Sequence, residues 1–68
     1  MHVMYRDLRF TDIPKNGTKV PVVRERDLES FYVSRKGRGY VVENRCLLIT
    51  SRYAVTLGEV REIIARPF

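Results

Sequence analysis

The sequence predicts a small, mostly β domain of the α+β class, in which a hairpin, a three-stranded antiparallel sheet and a C-terminal helix follow one another. Three observations predict it: an Asn-Gly pair typical of tight turns, three short runs rich in β-branched and aromatic residues, and a final segment with a helix cap and a helical apolar stripe. No repeat, linker or shift in composition divides the chain, so residues 1–68 are expected to form a single domain.

The Asn16-Gly17 pair predicts the first hairpin, because both residue types tolerate positive φ. Residues 8–13 and 19–24 are the strands that this turn would join. Pro21 lacks an amide donor, and it therefore places the hairpin at a sheet edge or in irregular pairing.

Residues 31–35, 39–43 and 45–50 predict the three strands of the sheet, since short turns separate these β-branched and aromatic runs. The second and third runs are apolar on both sides, which is typical of strands that are covered on both faces. The cover is expected to come from the hairpin and the helix, or else from a subunit interface.

The helix is predicted over about residues 56–66. Thr56 and Glu59 match a capping box, in which the hydroxyl accepts from an amide and the carboxylate returns to the Thr amide. Pro67 ends the pattern. The apolar residues at helical spacing are Leu57, Val60, Ile63 and Ile64.

The composition excludes several kinds of stabilisation and of chemistry. Cys46 and His2 are the only cysteine and the only histidine, so neither a disulfide within the chain nor a zinc site is expected, and no cofactor is indicated. A small core then favours a partner or self-association as a supplement. The lone cysteine, the charged N-terminus and the lack of a long apolar run predict a soluble, cytoplasmic protein.

Enzyme activity is not expected. A nucleophilic triad needs a base beside the nucleophile, and His2 lies at the terminus. Cys46 falls in an apolar run, where a thiol is usually inert and belongs to the core. The sequence also contains no phosphate-binding loop, dinucleotide fingerprint or metal-ligand spacing.

The positive charge is concentrated in the second half of the chain. Residues 35–68 contain seven Lys and Arg against three Asp and Glu, a net charge of +4 out of the +5 of the whole chain, and ten of the thirteen cations are arginine. Because the planar guanidinium suits phosphate, this distribution favours nucleic-acid binding. The alternative is a solvated basic face that only keeps the protein soluble.

The stretch KGRGYVVE, residues 36–43, resembles the first ribonucleoprotein motif of RNA-recognition domains, and cold-shock domains have a similar strand. The matching positions are Lys36, Gly37, Gly39, Tyr40 and Val41. The resemblance implies aromatic rings that stack on bases beside cations that contact phosphates. Arg38 and Glu43 stand where the motif has aromatics, and the segment before the first strand of the sheet is too short for the helix that the fold requires. We therefore interpret the stretch as a basic turn that leads into an aromatic strand.

The predicted order of elements resembles that of small SH3-like barrels, here an open barrel, and of the small archaeal chromatin proteins. The likeness extends to length and basicity but to no alignable residues, so it implies an architecture and no function.

We predict a small basic protein that binds DNA or RNA, mainly through the phosphate backbone, in a regulatory or architectural role. The residues predicted to contact phosphates are Arg35, Lys36, Arg38, Arg45 and Arg52, and those predicted to stack on bases are Tyr32 and Tyr40. For the basic loop the alternative is a solvated turn, and for each tyrosine it is a place in the core or at its rim. For the whole protein the alternative is a protein-binding regulator, inhibitor or assembly subunit that docks through its basic face or an apolar sheet face.

Overall fold

The computed structural model describes residues 3–24, 30–44 and 51–66. Two single-turn 3-10 helices, Tyr5–Asp7 and Phe10–Asp12, precede most of the sheet. Within these described ranges no helix is long and apolar enough to cross a membrane. The strands and the helix are β1 (Val3–Met4), β2 (Val20–Val23), β3 (Ser30–Lys36), β4 (Gly39–Asn44), β5 (Ser51–Ala54) and α1 (Leu57–Ala65).

The five strands form one mixed sheet in the order β1-β2-β3-β4-β5. β1 pairs with β2 in parallel, and every other neighbouring pair is antiparallel. The sheet does not close into a barrel, because β1 and β5 lie at its two edges. The predicted class, a small, mostly β domain with one C-terminal helix, is confirmed at this level.

The prediction of an N-terminal hairpin was wrong. Residues 8–13 form no strand; the Arg9 amide donates to the Asp12 Oδ2 at 2.8 Å and closes the second 3-10 turn instead. This turn buries Leu8 and Ile13, which are 0% and 2% exposed. The tight turn brings both apolar side chains into the core, one at each of its ends. An extended strand could not place both of them there.

The predicted turn at Asn16-Gly17 does form, although it joins no hairpin. Gly17 has a φ of 87°, and the Asn16 side-chain oxygen accepts from the Thr18 amide at 3.0 Å. This loop leads into β2, which pairs with β3 and, at Val22 and Val23, with β1. A local Asx turn therefore satisfies the polar groups that were expected to lie at the end of a hairpin.

The predicted third strand of the meander, residues 45–50, lies outside the described residues. Among the residues that the structure describes, β5 pairs with β4, with Tyr40 opposite Ala54 and Glu43 opposite Ser51. Ala54 is completely buried in this register.

Residues paired across neighbouring strands point to the same side of a sheet, so the register defines two faces. The core face is buried beneath α1, whose Val60 and Ile64 are both 0% exposed, and beneath Leu8 and Ile13. Its main apolar residues are Val22, Phe31, Val33, Tyr40, Val42 and Ala54. We call the opposite side the outer face, and it presents Pro21, Tyr32, Ser34, Lys36, Val41, Glu43, Ser51 and Tyr53.

Two arginines join separate parts of the fold. Arg24 Nη1 donates to the Ile64 carbonyl at 2.8 Å, which satisfies an acceptor in the last turn of α1. Its guanidinium also lies 5.7 Å from the centroid of the Phe31 ring. Arg61 Nη2 donates to the Leu8 carbonyl at 2.8 Å and ties α1 to the N-terminal segment. Part of the arginine content therefore has a structural role.

The predicted helix is confirmed as Leu57–Ala65, and its cap gives a testable prediction. The Thr56 Oγ1 accepts from the Glu59 amide at 3.2 Å. Changing Thr56 to Ala should lower the free energy of unfolding by about 1 kcal/mol, as measured by urea denaturation, because this amide loses its partner. Thr56→Ser keeps the hydroxyl and should cost far less. Equal losses in the two variants would contradict the capping role.

Candidate nucleic-acid interface

The β3–β4 hairpin places two exposed cations at one end of the sheet. Lys36 pairs with Gly39, and Gly37 and Arg38 form the turn between them. Gly37 has a φ of 60°, a conformation that side chains disfavour, so glycine is required there. Lys36 and Arg38 are both exposed. We call residues 36–39 the hairpin tip, and it agrees with the glycine turn predicted from the sequence.

Tyr53 lies against the hairpin tip from the neighbouring strand. A Cβ built on Gly39 would meet the Tyr53 hydroxyl and ring at 2.4 and 2.6 Å, so the ring occupies the space above this glycine. The Tyr53 hydroxyl donates to the Lys36 carbonyl at 3.2 Å. The side chain nevertheless remains 54% exposed. The hydrogen bond to the Lys36 carbonyl therefore holds the Tyr53 ring against the hairpin tip, and part of the side chain is still exposed to solvent.

The rest of the outer face is partly apolar, and its acidic group is paired. Tyr32 and Val41 are half-buried. Of the strand residues that the structure describes, Glu43 is the only acidic one on this face, and its Oε1 lies 3.1 Å from the Lys19 Nζ. The negative charge that the sequence places in β4 is therefore balanced locally.

Further cations lie on the loop that joins the sheet at the same end as the hairpin tip. β2 begins opposite Val33, so the loop that carries Lys15 and Lys19 joins the sheet at the end where β3 turns into β4. Both lysines are exposed. The helix C-terminus lies at the other end, because Arg24, which follows β2, donates to the Ile64 carbonyl. Lys36 and Arg38 thus lie at the tip end, whereas the Lys19 ammonium extends to Glu43 near the other end of β4.

Arg35 and Tyr40, two of the predicted contact residues, are packed within the protein. The Arg35 guanidinium lies 3.9 Å from the centroid of the Phe10 ring and 5.6 Å from that of Tyr40. Tyr40 is 6% exposed and belongs to the core, so its ring is not available to a base in this conformation. Tyr40 therefore has a place in the core, which was the alternative to stacking on a base. Arg35 stabilises the fold through its ring contacts.

Arg52 lies on the edge strand and borders two depressions. Its backbone position is opposite the buried Val42, on the core side of β5. A groove of about 350 Å³ between β5 and α1 is lined by Arg52, Tyr53, Glu59, Glu62, Ile63 and Arg66.

The second depression lies beside the hairpin tip, where Arg52 is joined by Lys36 and Tyr53. Arg45 is outside the described residues. Of the seven residues predicted to bind, the structure places Tyr32, Lys36 and Arg38 on the outer face and its tip, and Arg52 at the border of that face.

The seven residues predicted to bind do not include Tyr53 and Lys19, which complete this surface. Tyr53 directly follows Arg52, and an exposed tyrosine beside an arginine can stack on a base, but a place in the core or at its rim is the commoner case. No local signal could have paired Lys19 with Glu43, since the contact depends on the register of three strands.

Comparison with known proteins adds no family to these observations. No protein-family model, no curated protein and no solved structure matches the chain. In the part of the chain that the structure describes, no group of three or more His, Cys, Asp or Glu side chains could hold a metal ion. A functional assignment therefore rests on the side chains of the tip and the outer face.

Proposed function

We propose that this protein is a small basic module that binds nucleic acid, DNA or RNA, through its hairpin tip and outer face. One observation carries the proposal: the half-exposed ring of Tyr53 is hydrogen-bonded to the Lys36 carbonyl of the hairpin tip, which carries the exposed cations Lys36 and Arg38. Cations beside an accessible aromatic ring are the combination that attracts phosphates and receives bases.

The charge balance of this surface supports the proposal. Lys19, Lys36 and Arg38 outnumber Glu43, and Lys19 already pairs with that carboxylate. Two cations therefore remain at the tip to contact phosphates. Because phosphate contacts release bound counterions, such a surface should bind nucleic acid with a clear dependence on salt.

We further propose a regulatory or architectural role in the cytoplasm, by binding and without catalysis or a cofactor. The antiparallel strands followed by a terminal helix support an architecture related to small SH3-like barrels. The open edges of the sheet and the 3-10 turns at the N-terminus limit that likeness to the second half of the chain.

The proposal is tested by removing the two tip cations. Binding of labelled single-stranded and duplex oligonucleotides is measured by fluorescence anisotropy between about 50 and 200 mM salt, a range over which phosphate contacts weaken strongly. The double variant Lys36→Gln with Arg38→Gln should bind roughly tenfold more weakly. The slope of log affinity against log salt should fall in magnitude by about 1.4 to 1.8, because two phosphate contacts contribute that much to the slope.

Arg66→Gln is the matched control, because it removes an exposed positive charge at the opposite end of the sheet. Its affinity and salt slope should stay near those of the unaltered protein. An equal loss in this control would show that only net charge matters. Failure of the unaltered protein to bind any oligonucleotide at low salt would refute the proposal.

A protein partner is the second candidate, and the groove between β5 and α1 favours it. Glu59 and Glu62 line this groove together with Arg52 and Arg66, so both signs of charge are present. Carboxylates repel phosphates, whereas a polypeptide can match both signs. Under this alternative, charge reversal at Glu59 and Glu62 should abolish partner binding or self-association, and the tip variants should leave it unchanged. Sedimentation equilibrium measures the self-association.

A further inference from the structure

We infer that the ligand of the outer face is single-stranded nucleic acid, with one base stacked on Tyr53 and another on Tyr32. The inference rests on the proposed function and goes further, since phosphate contacts at the tip alone would serve a duplex equally well. It follows from the position of the two rings and from the shape of the surface that carries them.

Tyr53 is prepared for stacking before any ligand arrives. The ring covers Gly39, and its hydroxyl is held by the Lys36 carbonyl at 3.2 Å, so binding has little side-chain freedom left to remove. With 54% of the side chain exposed, ring surface remains available. The hydrogen bond also ties the ring to the residue whose ammonium group would contact the adjoining phosphate.

Tyr32 provides a second position on the same face. Tyr32 lies on β3 and Tyr53 on β5, so β4 separates them. The two positions are also offset by two residues along the strands, which places them roughly 12 Å apart. Val41 of β4 lies between them, opposite Ser34 and Tyr53. A shallow depression of about 510 Å³ offers room for a base beside the Tyr53 ring, and its lining residues are Lys36, Gly37, Val41, Ser51, Arg52 and Tyr53.

A duplex cannot use this surface in the same way. Its bases present their faces to each other, and only edges and phosphates are accessible to a protein. Stacking on a tyrosine requires a base that has left such a stack, and single strands supply it at little cost. A sheet face with two tyrosines and cations at one end therefore discriminates in favour of single strands.

The test compares a single strand with the duplex of the same sequence and length, by anisotropy, for the unaltered protein and for Tyr53→Leu, Tyr32→Leu and Phe10→Leu. The unaltered protein should bind the single strand at least about tenfold more tightly than the duplex, because one stacked base contributes about that much to the affinity. Tyr53→Leu and Tyr32→Leu should each lose roughly tenfold for the single strand, with no change in the salt slope, because neither removes a cation.

Phe10→Leu is the matched control. Phe10 is 51% exposed, close to the 54% of Tyr53, but it packs on Arg35 at the core side of the sheet. Its single-strand affinity should not change. Tyr53→Phe keeps the ring, and it should therefore retain most of the affinity even if Tyr53→Leu is poorly folded.

Three results would overturn the inference. In the first, single strand and duplex bind equally and the tyrosine variants have no effect; the salt-dependent binding of the proposed function would then stand alone. In the second, Phe10→Leu loses as much affinity as Tyr53→Leu. In the third, Tyr53→Leu abolishes self-association of the ligand-free protein, which would make the outer face a protein interface. If neither form of nucleic acid binds, the proposed function itself fails.

Discussion

Replacing Phe31 with alanine is expected to remove a large part of the stability of the domain. Phe31 is 0% exposed and lies on the core face of β3, opposite Val22 on one side and Asn44 on the other. Truncating a buried phenylalanine typically costs about 3–5 kcal/mol, through lost transfer energy and the cavity that remains. A domain of this size has a total stability of only about 3–10 kcal/mol. Circular dichroism with urea or thermal denaturation measures the loss.

Phe10→Ala is the control for this prediction, since it makes the same chemical change at a side chain that is 51% exposed. We expect it to cost about 1 kcal/mol or less, mainly from the lost contact with Arg35. If Phe10→Ala destabilised the protein as much as Phe31→Ala, the assignment of the core to the α1 side of the sheet would be wrong.

The second large effect is expected at Gly39, where alanine should destabilise the hairpin tip. A Cβ at this position would lie 2.4 Å from the Ala54 carbonyl oxygen and 2.4 Å from the Tyr53 hydroxyl. The tyrosine can rotate away, but the Ala54 carbonyl is backbone and can move only if β5 shifts. Overpacking of this kind costs about 1–3 kcal/mol. We expect thermal denaturation to show a drop of the melting temperature by about 4–8 °C for each kcal/mol lost.

Gly58→Ala makes the same chemical change and is expected to raise the stability instead of lowering it. Gly58 lies in the first turn of α1, and the nearest atom to its Cβ position outside the helix backbone is the Thr56 Oγ1 at 3.7 Å. Alanine is the better helix former, so this variant should gain up to about 1 kcal/mol. Two glycine variants that changed stability in the same direction would contradict the close contact of β5 with Gly39. Gly39→Ala should also weaken single-strand binding, because it displaces the Tyr53 ring.

The sequence was sufficient wherever a local pattern determines a local structure. The cap at Thr56 and the apolar spacing after it placed α1 within a residue or two of its observed ends. The glycines around Arg38 placed the hairpin tip, because glycine adopts the φ of 60° found at Gly37 more readily than any other residue. Both features are determined within a few residues of the chain.

The errors occurred where distant residues decide the outcome. Leu8 and Ile13 looked like parts of a strand, but the core needs both side chains at the two ends of a tight turn. Residues 51–54 pair with β4, and the sequence predicted no strand there. A propensity for strand describes a residue and does not choose its partner.

The candidate site was predicted in part for the same reason. Lys36 and Arg38 belong to a turn and were identified directly. Arg35 could not be recognised as a packing residue, because its ring partner Phe10 comes from a turn that the sequence did not reveal. Arginine counts alone could not separate cations that bind a ligand from those that support the fold, such as Arg24, which donates to the Ile64 carbonyl.

The most direct test of the central claim is an NMR titration of the isotope-labelled protein with a short single-stranded oligonucleotide, following the aromatic signals. Binding at the outer face predicts that the ring signals of Tyr32 and Tyr53 shift upfield and saturate together with the amides of the hairpin tip. The ring of Phe10 and the α1 residues of the β5–α1 groove, such as Glu62, should remain unchanged. Shifts confined to the α1 side of that groove, or none at any residue, would contradict the claim that the outer face and its basic tip are the functional surface.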